Sequence, residues 1–209
     1  MVALIVAMMA GVAEAVPFSF TCITNNNATD CATGEAQLSV DVTDPAGDNN
    51  VLFTFSNSGP LASSITDVYF DDGTLLDLAQ VLNGSGVSFS EGASPPDLPG
   101  GNNVTPPFTV TVGFLADSDP PAQPNGVNPG ETLGILFTLQ SGQEFQSVLD
   151  DLADGSLRIG IHVQGFIGGG SEAFVNDGGN GQVPAPATLV LLGLGLIGAA
   201  TTGAIRTKR

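Results

Sequence analysis

Tryptophan is absent from this 209-residue chain, tyrosine and histidine occur once each, and lysine plus arginine total four. Each shortage excludes something. With no Trp and one Tyr, the usual aromatic platforms for stacking sugar rings are missing, which counts against a glycosidase. The single histidine, His162, cannot build a zinc site of the His or Cys type. Ser85 lies in Asn-Gly-Ser-Gly-Val, without the Gly-x-Ser-x-Gly elbow of a serine hydrolase. Residues 16 to 182 carry 20 acidic side chains against one base, Arg158. A field of that sign repels nucleic-acid phosphates, so nucleic acid is excluded as a partner of this region. It serves solubility, and it is compatible with divalent cations and with neutral or cationic polymers.

What is abundant are turn formers, 28 Gly and 14 Pro, beside only 12% charged residues. That composition favours short strands joined by many turns over long charged helices. Apolar and polar residues alternate at Leu38, Val40 and Val42, at Val51, Phe53 and Phe55, at Phe108, Val110, Val112 and Phe114, and at Leu157, Ile159, Ile161 and Val163. Such segments have one dry and one wet face, as in packed antiparallel sheets. Further strands are expected near 66–70, 87–90 and 133–139, while 75–82 reads equally as helix or strand. Phe145, Val148, Leu149 and Leu152 recur at helical spacing behind a possible capping box from Ser141 to Glu144, which predicts one short helix. No fixed period repeats. The expected fold is mainly β, an antiparallel β-sandwich of about seven to nine strands over residues 16–182.

The termini read as addresses. Residues 2–12, VALIVAMMAGV, form an apolar run too short to span a bilayer, followed by Ala13-Glu14-Ala15. This is the pattern of a signal peptide over 1–15, with Ala13 and Ala15 marking the cut, and hence of passage through the secretion machinery. At the other end, 187–205 is uncharged and apolar on all sides. A helix of that length reaches roughly 28 Å, enough to cross the hydrocarbon core. Arg206, Lys208 and Arg209 follow as a basic stop held on the cytoplasmic side. Just before the span, Pro184 and Pro186 bias their neighbours toward extended backbone, the form in which a protease takes a peptide.

That order of a short Pro motif, apolar span and terminal basic cluster over 183–209 resembles the PEP-CTERM sorting tail of bacterial envelope proteins. Val183-Pro184-Ala185-Pro186 stands at the sorting motif, with Ala185 where the family most often has Glu. The resemblance implies processing by an exosortase, a membrane-embedded cysteine protease-transpeptidase. It further implies a precursor anchored in the inner membrane and a mature form at the cell surface or in the extracellular matrix, associated with exopolysaccharide and biofilm. Body segments such as GEAQLSVDV and LRIGIHVQGF are also similar to those of such proteins, and bring no catalytic residues with them.

In an exported protein the only two cysteines, Cys22 and Cys31, are expected to form a disulfide around ITNNNATD. His162 shares a strand face with Arg158 and Gln164, a surface or site-edge position. Carboxylates gather at Asp71-Asp72-Gly73, Asp117-Ser118-Asp119, Asp150-Asp151 and Asn176-Asp177-Gly178. They can be read as turn chemistry, as Ca²⁺ ligands without an EF-hand pattern, or as paired acids of a carbohydrate-active enzyme. The reading adopted is a non-enzymatic exported surface or matrix protein with no assigned cofactor or metal. A Ca²⁺- or glycan-binding module is the alternative, and a carbohydrate-active enzyme stands behind both.

Overall fold

Alternating side chains become strands wherever one face can be dried, as they do over Leu38–Thr43, Asn50–Asn57 and Thr132–Leu139. The computed structural model describes residues 15–45, 49–111 and 114–178. Its strands are β1 (Val16–Cys22), β2 (Leu38–Thr43), β3 (Asn50–Asn57), β4 (Ser64–Asp71), β5 (Leu75–Asn83), β6 (Phe89–Glu91), β7 (Leu115–Ser118), β8 (Thr132–Leu139), β9 (Arg158–Gln164) and β10 (Ser171–Asn176). Helices α1 (Ala28–Gln37), α2 (Ala122–Asn125) and α3 (Phe145–Asp154) interrupt them.

All strand pairs are antiparallel, in the order β5-β8-β3-β2-β1-β10-β9-β4-β7-β6. Alternation predicts two separate sheets of seven to nine strands in all; instead β1 joins two halves into one sheet of ten. Its first residues, Val16 to Ser19, pair with β2, and Phe20 to Cys22 pair with β10. The sheet curls into a half-barrel, bringing Phe53 of β3 and Phe137 of β8 against Phe70 of β4, with ring centroids 5.1 and 4.7 Å apart in edge-to-face contacts. The curl also brings the two edge strands together. Asn83 at the end of β5 accepts from Phe89 N at 2.8 Å and donates to Phe89 O at 3.1 Å, so a side-chain amide takes the place of a backbone pair.

Two expectations need correction. The Phe108–Phe114 alternation forms no strand in its described part, 108–111 and Phe114. Pro106 and Pro107 carry no amide to donate to a ladder, and the chain from 92 to 111 instead lies as a strap over the outer face of β10, β9, β4 and β7. There Leu98, Phe108 and the half-buried Val104 and Val110 cover Tyr69, Ala173 and Val175 in a second apolar cluster. The alternation is real, but it sorts residues between sheet and solvent without hydrogen-bonded neighbours. The capping box also shifts. Ser147 Oγ, not Ser141, accepts from Glu144 N at 3.3 Å, and Glu144 is the N-cap of α3.

The expected disulfide is present: Cys22 and Cys31 are joined. The polar loop it was expected to close contains the start of α1, whose N-cap Asn27 accepts from Thr29 N and Asp30 N. Helix α3 falls where the 3.6-residue spacing put it, with Val148, Leu149 and Leu152 buried, but among the described residues it is one of three α-helices. Among the described residues no helix is long and apolar enough to cross a membrane. The expected span 187–205 lies outside the described residues.

Candidate functional site

The chain's one histidine is placed by cross-strand register. His162 on β9 stands opposite Asp67 on β4, and Asp67 stands opposite Asp117 on β7, so the three form a row across neighbouring strands. Each lies on the outer face, because Val68 and Phe70 take the inner one. A register shift between Ile65 and Asp67 resets the alternation so that Asp67 and Tyr69 face the strap. His162 Nδ1 lies 2.9 Å from Asp67 Oδ2, Thr66 Oγ1 donates to the same oxygen at 2.8 Å, and Gln164 Nε2 donates to Thr66 Oγ1 at 3.1 Å. Asp67 is 2% exposed.

The strap closes over this row. Tyr69 donates from its hydroxyl to Pro95 O at 2.9 Å, and burial, with Asp67 and Asp117 beside it, pushes its phenol above the usual range. Gly160 of β9 leaves bare backbone beneath the strap: a Cβ there would stand 2.7 Å from Leu98 Cδ2. Arg158 ties the far end, pairing with Asp71 and donating to Pro106 O at 2.6 Å and Pro107 O at 2.8 Å, with Phe108 beneath its guanidinium.

Burial first, then the neighbouring Asp67, pushes Asp117 up to about 6 from an ordinary 3.8. Because the folded value lies above the unfolded one, the folded state binds the extra proton between these values. Stability from this group is complete below about pH 4 and declines as pH rises through about 6. Asp117→Asn, which stays neutral and can still donate to Asp67, is expected to match the parent at pH 4. At pH 7 it should exceed it by on the order of 1 kcal/mol, after allowing for partial exposure. Urea midpoints of both proteins at the two pH values check this, and equal midpoints at pH 7 would contradict it.

The other acids are mostly spent on local structure. Asp119 accepts from Ser88 Oγ at 2.6 Å and Ser90 Oγ at 2.8 Å, and Asp177 accepts from Thr21. Asn176 Oδ1 accepts from Ile159 N at 2.6 Å. Glu172, which the sequence did not single out, is buried and accepts from Asn26 N at 3.0 Å and Asn27 N at 2.6 Å, fixing the approach to α1. It lies close to Cys22 and Cys31, but those sulfurs are joined to each other and offer no thiolate. An open cleft of about 540 Å³ at the other end of the sheet is lined by Asp44, Asn49, Asn50, Gln143, Glu144, Phe145 and Gln146. Neither His162 nor Asp67 nor Asp117 lines it.

Of the residues expected to carry the addresses, only Ala15 is described, exposed and directly before β1. Ala13, Val183, Pro184, Ala185, Pro186, Arg206, Lys208 and Arg209 lie outside the described residues. Comparison with known families reaches this segment: a family model described as the PEP-CTERM protein-sorting motif matches residues 182–208. No curated protein and no solved structure matches the chain.

Proposed function

We propose, from the match of residues 182–208 to the PEP-CTERM protein-sorting motif, that the chain is an exported, membrane-anchored precursor handled by an exosortase-type enzyme and that its mature β domain is a non-enzymatic protein of the cell surface or extracellular matrix. The sorting motif is the observation that carries this reading. The rest is supported by how the domain uses its chemistry. Its histidine and most buried acids pair with one another under a strap or hold turns, and its surface is strongly acidic. Such a body stays soluble and self-repelling in a hydrated exopolysaccharide layer, where association with biofilm polymer places it.

The proposed processing fits the fold at both ends. β1 begins at Val16, so removal of residues 1–15 leaves the strand that joins the two halves whole. The last strand among the described residues ends at Asn176, several residues before Val183-Pro184-Ala185-Pro186, so cleavage there leaves the described sheet untouched. In the proposed processing Val183-Pro184-Ala185-Pro186 is the segment the enzyme recognises, and Arg206, Lys208 and Arg209 are the basic stop.

Intact mass of the protein recovered from its native envelope or culture matrix tests this, with cells lacking the exosortase as the comparison. Loss of residues 1–15 and of the span after Pro186 only when that enzyme is present is the expected result. A tail retained in both strains would leave an inner-membrane-anchored domain and sink the surface assignment.

A further inference from the structure

The two ends of the curled sheet differ in chemistry. Val16 pairs with Val42 near the end of β2, and Asp177 N donates to Ser19 O at 3.0 Å, so the described chain enters and leaves at the end that holds the 44–49 loop and α3. The opposite end is built from the 58–63 loop, α2 and the β9–β10 turn. Every exposed large hydrophobic side chain among the described residues belongs to it: Leu61 in the loop, Leu82 one residue before β5 finishes and Ile167 in the turn, 42, 37 and 76% exposed. Beside Leu61 and Ile167 runs an open groove of about 450 Å³, walled by Pro60, Ala62, Gln123, Pro124, Pro129 and Gly165, and no residue that lines it is charged. On a body with 20 acidic side chains and one base over residues 16–182, such a face is an exception.

The apolar groups here are held in place from below. Gln37 Nε2 donates to Leu61 O at 2.8 Å and to Ser63 Oγ at 2.7 Å, and Asn57 Nδ2 donates to Ser63 O at 3.0 Å and Val127 O at 3.2 Å, both amides being buried. Ser64 Oγ donates to Gln123 O at 2.8 Å, which ties the α2 wall to the sheet. Under Ile167 the turn is anchored by the buried Phe166, whose carbonyl accepts from Gly169 N at 2.7 Å. Acids of the same end are bound to their own loops: Glu131 Oε2 accepts from Asn128 N at 2.9 Å, and Asp119 from Ser88 and Ser90. A fixed loop that presents an aliphatic side chain to water loses little freedom when that side chain is covered.

We propose that this end is a contact surface for a second copy of the same chain, with Ile167 of each protomer seated in the proline-walled groove of the other. The face offers both halves of such a match, a projecting aliphatic side chain and an uncharged groove beside it, as a two-fold contact between identical surfaces requires. Charge selects the occupant. Two bodies this acidic repel each other wherever acid meets acid, so a copy can approach only through a face without charge. A basic partner would seek the acids elsewhere on the body and gain nothing from this groove. Sugar rings stack on aromatic faces, and the apolar groups here are aliphatic. The contact is small and belongs to the weak class of interfaces. It places the described chain ends, Ala15 and Gly178, at the outer ends of the pair, an arrangement that joins molecules held on separate surfaces. It is independent of sorting, so failure of one reading leaves the other standing.

The test is sedimentation of the full-length chain in detergent, from about 10 µM to 1 mM protein, the range of weak affinities. It is run at about 0.01 M and 1 M NaCl, where charges are felt over roughly 30 and 3 Å. A monomer–dimer equilibrium that tightens at high salt is expected, because salt screens the repulsion between the bodies and leaves the apolar contact. Ile167→Ser should weaken it at least about tenfold, since both protomers lose the side chain, and Leu61→Ser should weaken it less. Both positions are exposed, so Tm should match the parent. Ser141→Asp, at the opposite end, is the control for added charge and should dimerise as the parent does. A monomer throughout overturns the proposal, and one that instead binds dextran through Ile167 gives the face to a neutral polymer. A dimer that Ile167→Ser and Leu61→Ser leave intact is held elsewhere in the chain and overturns it too. So does equal weakening by Ser141→Asp, which would mean a diffuse effect of charge.

Discussion

Arg158→Ala is expected to lower stability by about 3 kcal/mol, the cost of removing one partner from a mostly buried ion pair. The pair is enclosed, with 14% of the Arg158 side chain and 20% of the Asp71 side chain exposed. Loss of the guanidinium leaves Asp71 with only Thr109 N, at 3.1 Å, and with Asp72 as its neighbour. It also frees the carbonyls of Pro106 and Pro107 and uncovers Phe108. The consequence is local as well as global: the strap should open, and limited proteolysis should cut within 92–111 before the rest of the domain. Arg158→Lys keeps the charge but not the fork that serves a carboxylate and two carbonyls together, so it should recover less than half of the loss. Urea midpoints read the stability. If both variants fall within about 0.5 kcal/mol of the parent, as ordinary surface changes do, then Leu98 and Phe108 hold the strap by packing and the ion pair is incidental.

That prediction concerns a residue whose role was only half legible. The sequence placed Arg158 and His162 on one face of a strand, and the fold agrees. It did not show what lies above that face, because the strap's own alternation imitates a strand. Strands with one wet face, such as β2, β3 and β8, stood out because period-two patterning records a single dried surface. β10 did not: from Glu172 to Asn176 every residue is buried, so burial on both faces erased the pattern. β1 has the pattern, with Phe18 and Phe20 set between Ser19 and Thr21, but it begins where the reading of a signal peptide ends. Helix α1 was hidden for a different reason. The residues it buries are Asp30, Cys31, Gly34 and Gln37, a face with no apolar stripe to find.

The candidate site follows the same logic. Acids and the histidine were visible one by one, whereas the row His162, Asp67, Asp117 depends on register between strands that are far apart in sequence. Asp67 itself drew no attention among so many acids. Its partners come from strands beginning at Leu115 and Arg158, and only the register shift in β4 turns it outward. What could have marked it is its setting in Ile65-Thr66-Asp67-Val68-Tyr69-Phe70, a charge within an otherwise apolar and β-branched run that must be paired to be buried.

Gly34→Ala should destabilise the domain by about 2 kcal/mol, although alanine in a helix interior gains up to about 1 kcal/mol over glycine. The reason is a contact. A Cβ at position 34 would stand 2.2 Å from Cζ and 2.5 Å from Cε1 of Phe174, and Phe174 is a fully buried ring on β10. Helix α1 cannot back away. The Cys22–Cys31 link holds its first turn, Glu35 Oε1 accepts from Cys22 N at 3.0 Å, and Gln37 donates to Leu61 O at 2.8 Å. Phe174→Leu alone should also destabilise, by opening a void beside Gly34. In Gly34→Ala/Phe174→Leu the new methyl enters that void, so the double variant should be more stable than the sum of the two losses by about 1 to 2 kcal/mol. Strict additivity in urea midpoints would mean that helix and ring shift apart independently. A clear coupling would explain why a helix of so little apolar character docks at all: its glycine lets the backbone approach a buried ring more closely than any side chain allows.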